Sequence, residues 1–182
     1  MELYAERGFE NTTVAEIAER GGLTERTFFR YFADKREVLF SGSAELSEAL
    51  VSAIANASDS LAPIDAVAAG VHAIAALLDE RRDVAFARQR QAIIAANPEL
   101  QERELIKLAS LASAMADALR QCGVEEPGAS LVAEIGIAIF RTAFDRWTRE
   151  GSDEELPQLV HESLDQLKAL TAGGRPLAAS ER

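Results

Sequence analysis

The chain has 182 residues, 48% apolar and 27% charged, with a formal net charge of −11. That is an ordinary balance for one or two soluble globular domains, and the acidity excludes indiscriminate electrostatic binding to nucleic acid. The single cysteine, Cys122, excludes an internal disulfide, the start MELYAERG shows no signal-peptide hydrophobic region, and no apolar run reads as a membrane span; a cytoplasmic protein without a membrane partner is expected.

Alanine is abundant, β-branched residues are sparse and no period-2 stretch with turn signals occurs, so an all-α chain of about nine helices is predicted. The first helix, residues 1–7, ends at Gly8. Asn11, Thr12 and Thr13 supply caps for a second helix from about Val14, with Val14, Ile17 and Ala18 as its buried stripe. Gly21 and Gly22 close it. Thr24 caps a third helix beginning at Glu25, inside GGLTERTFFRYF. There Phe28 and Phe32 share one face, built for the core, while Thr27, Arg30 and Tyr31 share another. Two short helices joined by a tight Gly-containing turn make a helix-turn-helix, whose second helix enters the major groove of DNA.

Longer helices follow: a fourth over 35–57, a fifth over 63–79, a sixth over 82–96 and a seventh from Pro98 to Cys122. The eighth, 129–150, is apolar nearly all round; the ninth, 155–172, carries a leucine-rich stripe; residues 173–182 read as a polar tail. Three units result: a helix-turn-helix head over 1–41, a helical body over 42–172, and the flexible tail over 173–182. The head is the less acidic part, with six Lys/Arg against eight Asp/Glu. It has no basic run, so DNA contact has to come from a few placed groups.

The stretch LYAERGFENTTVAEIAERGGLTERTFFRYFADKREVL resembles the tetracycline-repressor (TetR) family of bacterial regulators. The resemblance lies in Gly8-Phe9, Thr13, Ile17-Ala18, Gly22-Leu23, Thr27, Phe32 and Lys35, all in register. It implies a homodimeric, ligand-responsive regulator, most often a repressor, on a palindromic operator. RQRQAIIAANPELQERELIKL resembles the subgroup containing the mycofactocin-system regulator, which implies a fatty acyl-CoA as ligand. The family often has a longer first helix and a basic N-terminal arm, so the given start is expected to fall partway along that helix. Phe29 stands where a phosphate-bonding tyrosine is common, and Tyr31 stands where a histidine is common.

On that resemblance the DNA-contacting residues are Thr13, Thr24, Arg26, Thr27, Arg30, Tyr31 and Lys35. Hydroxyls and guanidinium groups bond phosphate, and Arg26 can also read guanine. Lys35 would hold a phosphate together with free backbone N–H groups at a helix start. Plain capping rivals this for Thr13, and pairing with an acidic neighbour rivals it for Arg30. For the ligand cavity, expected among helices four to eight, the candidates are Phe86, Arg90, Met115, Phe140, Arg141 and Phe144, with core filling or ion pairing as the alternative. His72 and His161 lie on different helices without metal-ligand spacing, so neither a metal nor a cofactor is expected, and no catalytic constellation occurs. Helices eight and nine are the expected dimer surface, as a four-helix bundle with their symmetry mates. Two rivals remain open: a helical small-molecule-binding protein that has lost operator binding, and a helical-bundle enzyme.

Overall fold

A computed structural model describes residues 1–57, 61–80, 84–149 and 154–172. Among these residues every regular element is helical: α1 Glu2–Arg7, α2 Val14–Arg20, α3 Glu25–Tyr31, a 3-10 turn Lys35–Phe40, α4 Ser43–Ala55, α5 Pro63–Glu80, α6 Val84–Ala95, α7 Pro98–Gln121, α8 Gly128–Trp147 and α9 Leu156–Thr171. The expected start of helix six at Arg82, the end of helix eight at Glu150 and the tail 173–182 lie outside the described residues.

Local signals account for most boundaries. Thr13 accepts from Glu16 N–H while the Glu16 carboxylate takes the Thr13 N–H, a reciprocal capping box that starts α2. Gly22, at φ 67°, carries the chain from α2 into α3, with the Leu23 N–H closing back on the Ala18 carbonyl at 2.8 Å. Prolines sit in the first turns of α7 and α9, where the missing N–H costs nothing.

The expected fourth helix over 35–57 is two pieces. Asp34 caps Arg36 and Glu37 and winds 35–40 into a tight 3-10 turn. Gly42 then adopts φ 85°, a left-handed conformation that no α-helix tolerates, and α4 starts afresh behind it. The segment Lys35–Ala55 is long and apolar enough to pass a length-and-composition test for a membrane span, contrary to the sequence expectation. The break at Gly42 and the packing of α4 on α5 and α7 make it part of the folded body instead.

Two apolar clusters hold the molecule. The larger joins α4, α5, α7, α8 and α9 through Leu50, Ile54, Val67, Val71, Ile74, Met115, Leu119, Ile137, Trp147, Leu159 and Val160. The smaller gathers Tyr4, Phe9, Leu39, Phe40, Ile94 and Leu100. It therefore draws on α1, the 3-10 turn, α6 and the start of α7 at once. Head and body share this cluster, so neither moves without disturbing it.

Candidate nucleic-acid interface

α3 is short and is held at both ends. The Thr24 hydroxyl accepts from the Thr27 N–H at 3.2 Å and lies 3.0 Å from the Thr27 hydroxyl. At the other end Phe32 returns its N–H to the Phe28 carbonyl. Phe28 is buried, and Phe32, half-buried, lies 5.2 Å from it ring to ring. This inward face orients the rest. Arg26, Arg30, Phe29 and Tyr31 are exposed, the last two by 54% and 64%, and Thr27 is half-exposed.

These groups differ in what they have left to offer. Arg26 has no intramolecular partner among the described residues. Arg30 donates to the Tyr31 hydroxyl at 2.8 Å and lies over the Tyr31 ring at 4.8 Å. An aromatic neighbour thus stands where the rival reading of Arg30 placed an acidic one, and Tyr31 keeps its own O–H to donate. Thr13 is engaged twice, donating to Glu16 Oε2 at 2.9 Å while accepting from its N–H. The capping alternative describes it in this conformation.

Lys35 is a correction. Its ammonium is turned inward, donating to the carbonyls of Phe9 at 2.8 Å, Thr12 at 3.1 Å and Glu10 at 3.3 Å, and it lies 4.3 Å from the centre of the Phe9 ring. An ammonium has three N–H donors, and all three are taken. Lys35 thus clamps the α1–α2 loop instead of standing free for a phosphate. Tyr4 secures the same place by donating to the Lys35 carbonyl at 2.5 Å, and burial, with the Asp34 charge second, pushes its phenol above the usual range.

The 3-10 turn also grips the body. Glu37 receives Arg103 at 2.7 Å and Lys107 at 3.2 Å, both from α7. Burial works against the Glu37 carboxylate, but these hydrogen bonds and charges outweigh it and hold its pKa below the usual range. From α6, Arg90 donates to the Leu39 carbonyl at 2.7 Å and to Glu104 at 3.1 Å, and its guanidinium lies 4.9 Å from the Phe40 ring centre. Residues 35, 37 and 39 therefore tie one six-residue turn to the head, to α7 and to α6. The sequence hints at part of this, since Arg103 and Lys107 share a helix face. Nothing local in it points to a partner 66 and 70 residues away.

The ligand candidates do not come together. Arg90 is spent as just described. Met115 is fully buried in the main core, while Phe140 and Phe144 pack against that core 5.5 Å apart, ring to ring. Arg141 is exposed on α8, and no ion pair joins it to Asp145 among the described residues. Phe86 lines a cleft of about 680 Å³, but that cleft runs between α6 and the α1–α2 side of the head, along Tyr4, Ile17, Arg20 and Val38. Six residues chosen on apolar character and placement in helices thus scatter over core, surface and cleft. Conversely, His72 and His161 face one another with ring centres 6.3 Å apart, a pairing that sequence distance conceals.

With this geometry in hand, the likenesses to known proteins fall into place. Residues 1–41 match the family model for bacterial regulatory proteins of the tetR family, and residues 61–172 match the MftR C-terminal domain. The HTH-type transcriptional regulator TcmR of Streptomyces glaucescens is 43% identical over 54 residues, which are 30% of this chain but 24% of that regulator's length. The putative mycofactocin biosynthesis transcriptional regulator MftR of Mycobacterium tuberculosis is 27% identical over 157 residues, 84% of this chain and 77% of that one. Among solved structures, the TetR-family regulator PfmR of Thermus thermophilus superposes with a TM-score of 0.52 at 22% identity, covering 91% of this chain and 92% of its own, a likeness of fold. A tetR-type head continuous with an MftR-type body over more than half the length shows that this chain belongs to the TetR family of bacterial transcriptional regulators, not to an enzyme family.

Proposed function

We propose that the protein is a homodimeric repressor that grips a palindromic double-stranded operator through α3 and releases it when a small hydrophobic or amphipathic ligand enters the helical body. The observation that carries this reading is Arg26, a cation without a partner among the described residues, on the exposed face of a doubly fixed α3, in a chain of a DNA-binding family. One seven-residue helix touches too few base edges for useful discrimination, whereas a twofold pair reads two half-sites.

The body supports the dimer. α8 leaves Leu131 61% exposed, and Leu131, Ile135, Ala138 and Thr142 run along one side of it at alternating four- and three-residue spacing. Leu170 on α9 is 53% exposed. Two such helices pair naturally with their twofold copies into a four-helix bundle. Changing both Leu131 and Ala138 to Glu is expected to give a folded monomer by sedimentation. A dimer of unchanged strength would remove α8 from the interface.

Release would work by population shift: the ligand favours a state in which the two α3 helices no longer match the groove spacing. The 3-10 turn supports such coupling, because displacement of α6 or α7 pulls on Leu39 or Glu37 while Lys35 holds the head. Fatty acyl-CoA is the ligand class implied by the resemblance to the MftR-type subgroup, and graded acyl-CoA chain lengths in a thermal-shift titration test it.

Binding of fluorescent duplexes from upstream of its own gene tests the reading as a whole. Arg26→Ala is expected to weaken binding and lower the slope of log affinity against log salt by about one ion. Tyr31→Phe should weaken it without that change, since it removes a neutral donor. A folded dimer that binds none of these duplexes even at low salt would favour the rival, a ligand-binding protein without an operator.

A further inference from the structure

α5 and α9 lie against one another in opposite directions, and three polar rungs cross their seam. Lys168 donates to Asp65 at 2.7 Å at one end, and the Leu156 N–H donates to Asp79 at 3.4 Å at the other. Between them His72 and His161 face each other, ring centres 6.3 Å apart and planes inclined by 41°. Positions 65, 72 and 79 are seven residues apart, so all three rungs stand on one side of α5. Apolar side chains surround the rungs, with Ala68, Val71 and Ala75 buried on α5 and Leu159, Val160 and Leu164 buried on α9, where the buried Ser163 hydroxyl donates to the Leu159 carbonyl of its own helix. The outer rungs join complementary groups. The central rung joins two bases, which are compatible while neutral and repel once both carry a proton.

We propose that this histidine pair makes the α5–α9 seam proton-operated, closed while His72 is neutral and loosened as acidification charges it against His161. The two histidines are unequal. His161 is exposed and has Asp165 one turn along its own helix at 3.4 Å. His72 is half-buried, and burial first, then the charge of His161, hold its pKa below the ordinary histidine value.

The surrounding charges do not cancel this. On α5, Asp65 is taken by Lys168 and Asp79 by the α9 N–H. On α9, Glu162 turns to Arg146 of α8 at 2.9 Å. Glu45 and Glu48 of α4, with Glu134, Arg141, Asp145 and Arg146 of α8, are the other charged groups on the packed helices, and among the described residues the causes of the His72 shift are burial and His161. A base depressed in the folded state binds fewer protons than in the unfolded chain. Its contribution is therefore complete above the unfolded histidine pKa, about 6.5, and is lost as pH falls from there through the folded value. Because α9 also belongs to the proposed dimer face, acid would reach that interface, but the seam itself does not depend on the dimer reading.

Histidine ring-proton NMR and amide exchange along α9, each followed from pH 7.5 to 5.5 on the full chain, test the proposal. His72 should titrate below the ordinary histidine value. His161→Asn should move the His72 titration up towards the ordinary range. Exchange of α9 amides, corrected for intrinsic pH dependence, should rise several-fold on acidification in the wild type, stay nearly flat in His72→Asn, and rise clearly less than in the wild type in His161→Asn, where the burial of His72 remains. His161 is exposed, so its variant should fold even if His72→Asn does not. An acid response in His161→Asn equal to the wild type would overturn the proposal, as would a His72 titration that ignores the loss of His161.

Discussion

Gly136→Ala is expected to destabilise the protein by about 2–3 kcal/mol, although it adds a single methyl group to a helix and improves helix propensity. A Cβ at position 136 would lie 2.4 Å from Val67 Cγ1 and 3.0 Å from Met115 Sδ. Both neighbours are fully buried. Met115 can yield, because a thioether chain has several rotatable bonds. Val67 is branched at Cβ and held on α5, so relief there requires α5 and α8 to separate. Out of a total stability of roughly 5–15 kcal/mol, that is a serious loss, visible as a drop of about 5–10 °C in the melting midpoint. Val67→Ala removes the colliding methyl groups. The double variant should therefore be less destabilised than the sum of the two singles by about 1 kcal/mol or more. Additive losses would show that the close approach of α5 and α8 does not limit the packing at this point.

Gly136 also marks where the sequence stops being legible. Within IGIAIF it reads as a flaw in an apolar helix, and its purpose, the passage of Val67, exists only in three dimensions. The order of helices was readable because caps and apolar periodicity are local: Thr13 and Thr24 start α2 and α3, and Pro98 opens α7. The fourth helix was misread for the same reason, since the left-handed Gly42 is not distinguishable by type from the helical Gly70 or Gly136.

The head fared better than the body. α3 is a single helix whose inward and outward faces follow from spacing, so Phe28 and the exposed Arg26 and Tyr31 could be sorted in advance. The body's candidates were chosen by chemistry alone, and chemistry does not separate a fully buried Met115 from a cavity wall or an exposed Arg141 from a ligand anchor. Long-range pairs were invisible altogether. Glu37 with Arg103, and His72 with His161, each join residues more than sixty positions apart, and no local pattern marks either.

Lys35→Met is expected to weaken operator binding at least tenfold, with little change in how that binding depends on salt. The argument rests on where the ammonium spends its charge. Its three bonds to the Phe9, Glu10 and Thr12 carbonyls fix the loop between α1 and α2, and the Phe9 ring lies beneath it at 4.3 Å. Methionine retains the apolar stem and removes all three donors. Hydrogen bonds from a charged donor contribute about 1.5–3 kcal/mol each when buried, and this site is partly open, so a net loss of roughly 2 kcal/mol in holding the head is reasonable. That is more than one factor of ten if binding requires the head in place. Amide exchange over 8–13 should rise in the same variant, while the α5–α9 body stays protected. A phosphate ligand would behave differently. Its loss would remove one released counterion and lower the salt slope by about one, as predicted for Arg26→Ala, with the head as ordered as before. A parallel titration of the two variants on one duplex therefore decides between the roles. Should Lys35→Met flatten the salt dependence as Arg26→Ala does, with unchanged exchange in the loop, Lys35 faces the DNA backbone and its role as an internal clamp is refuted.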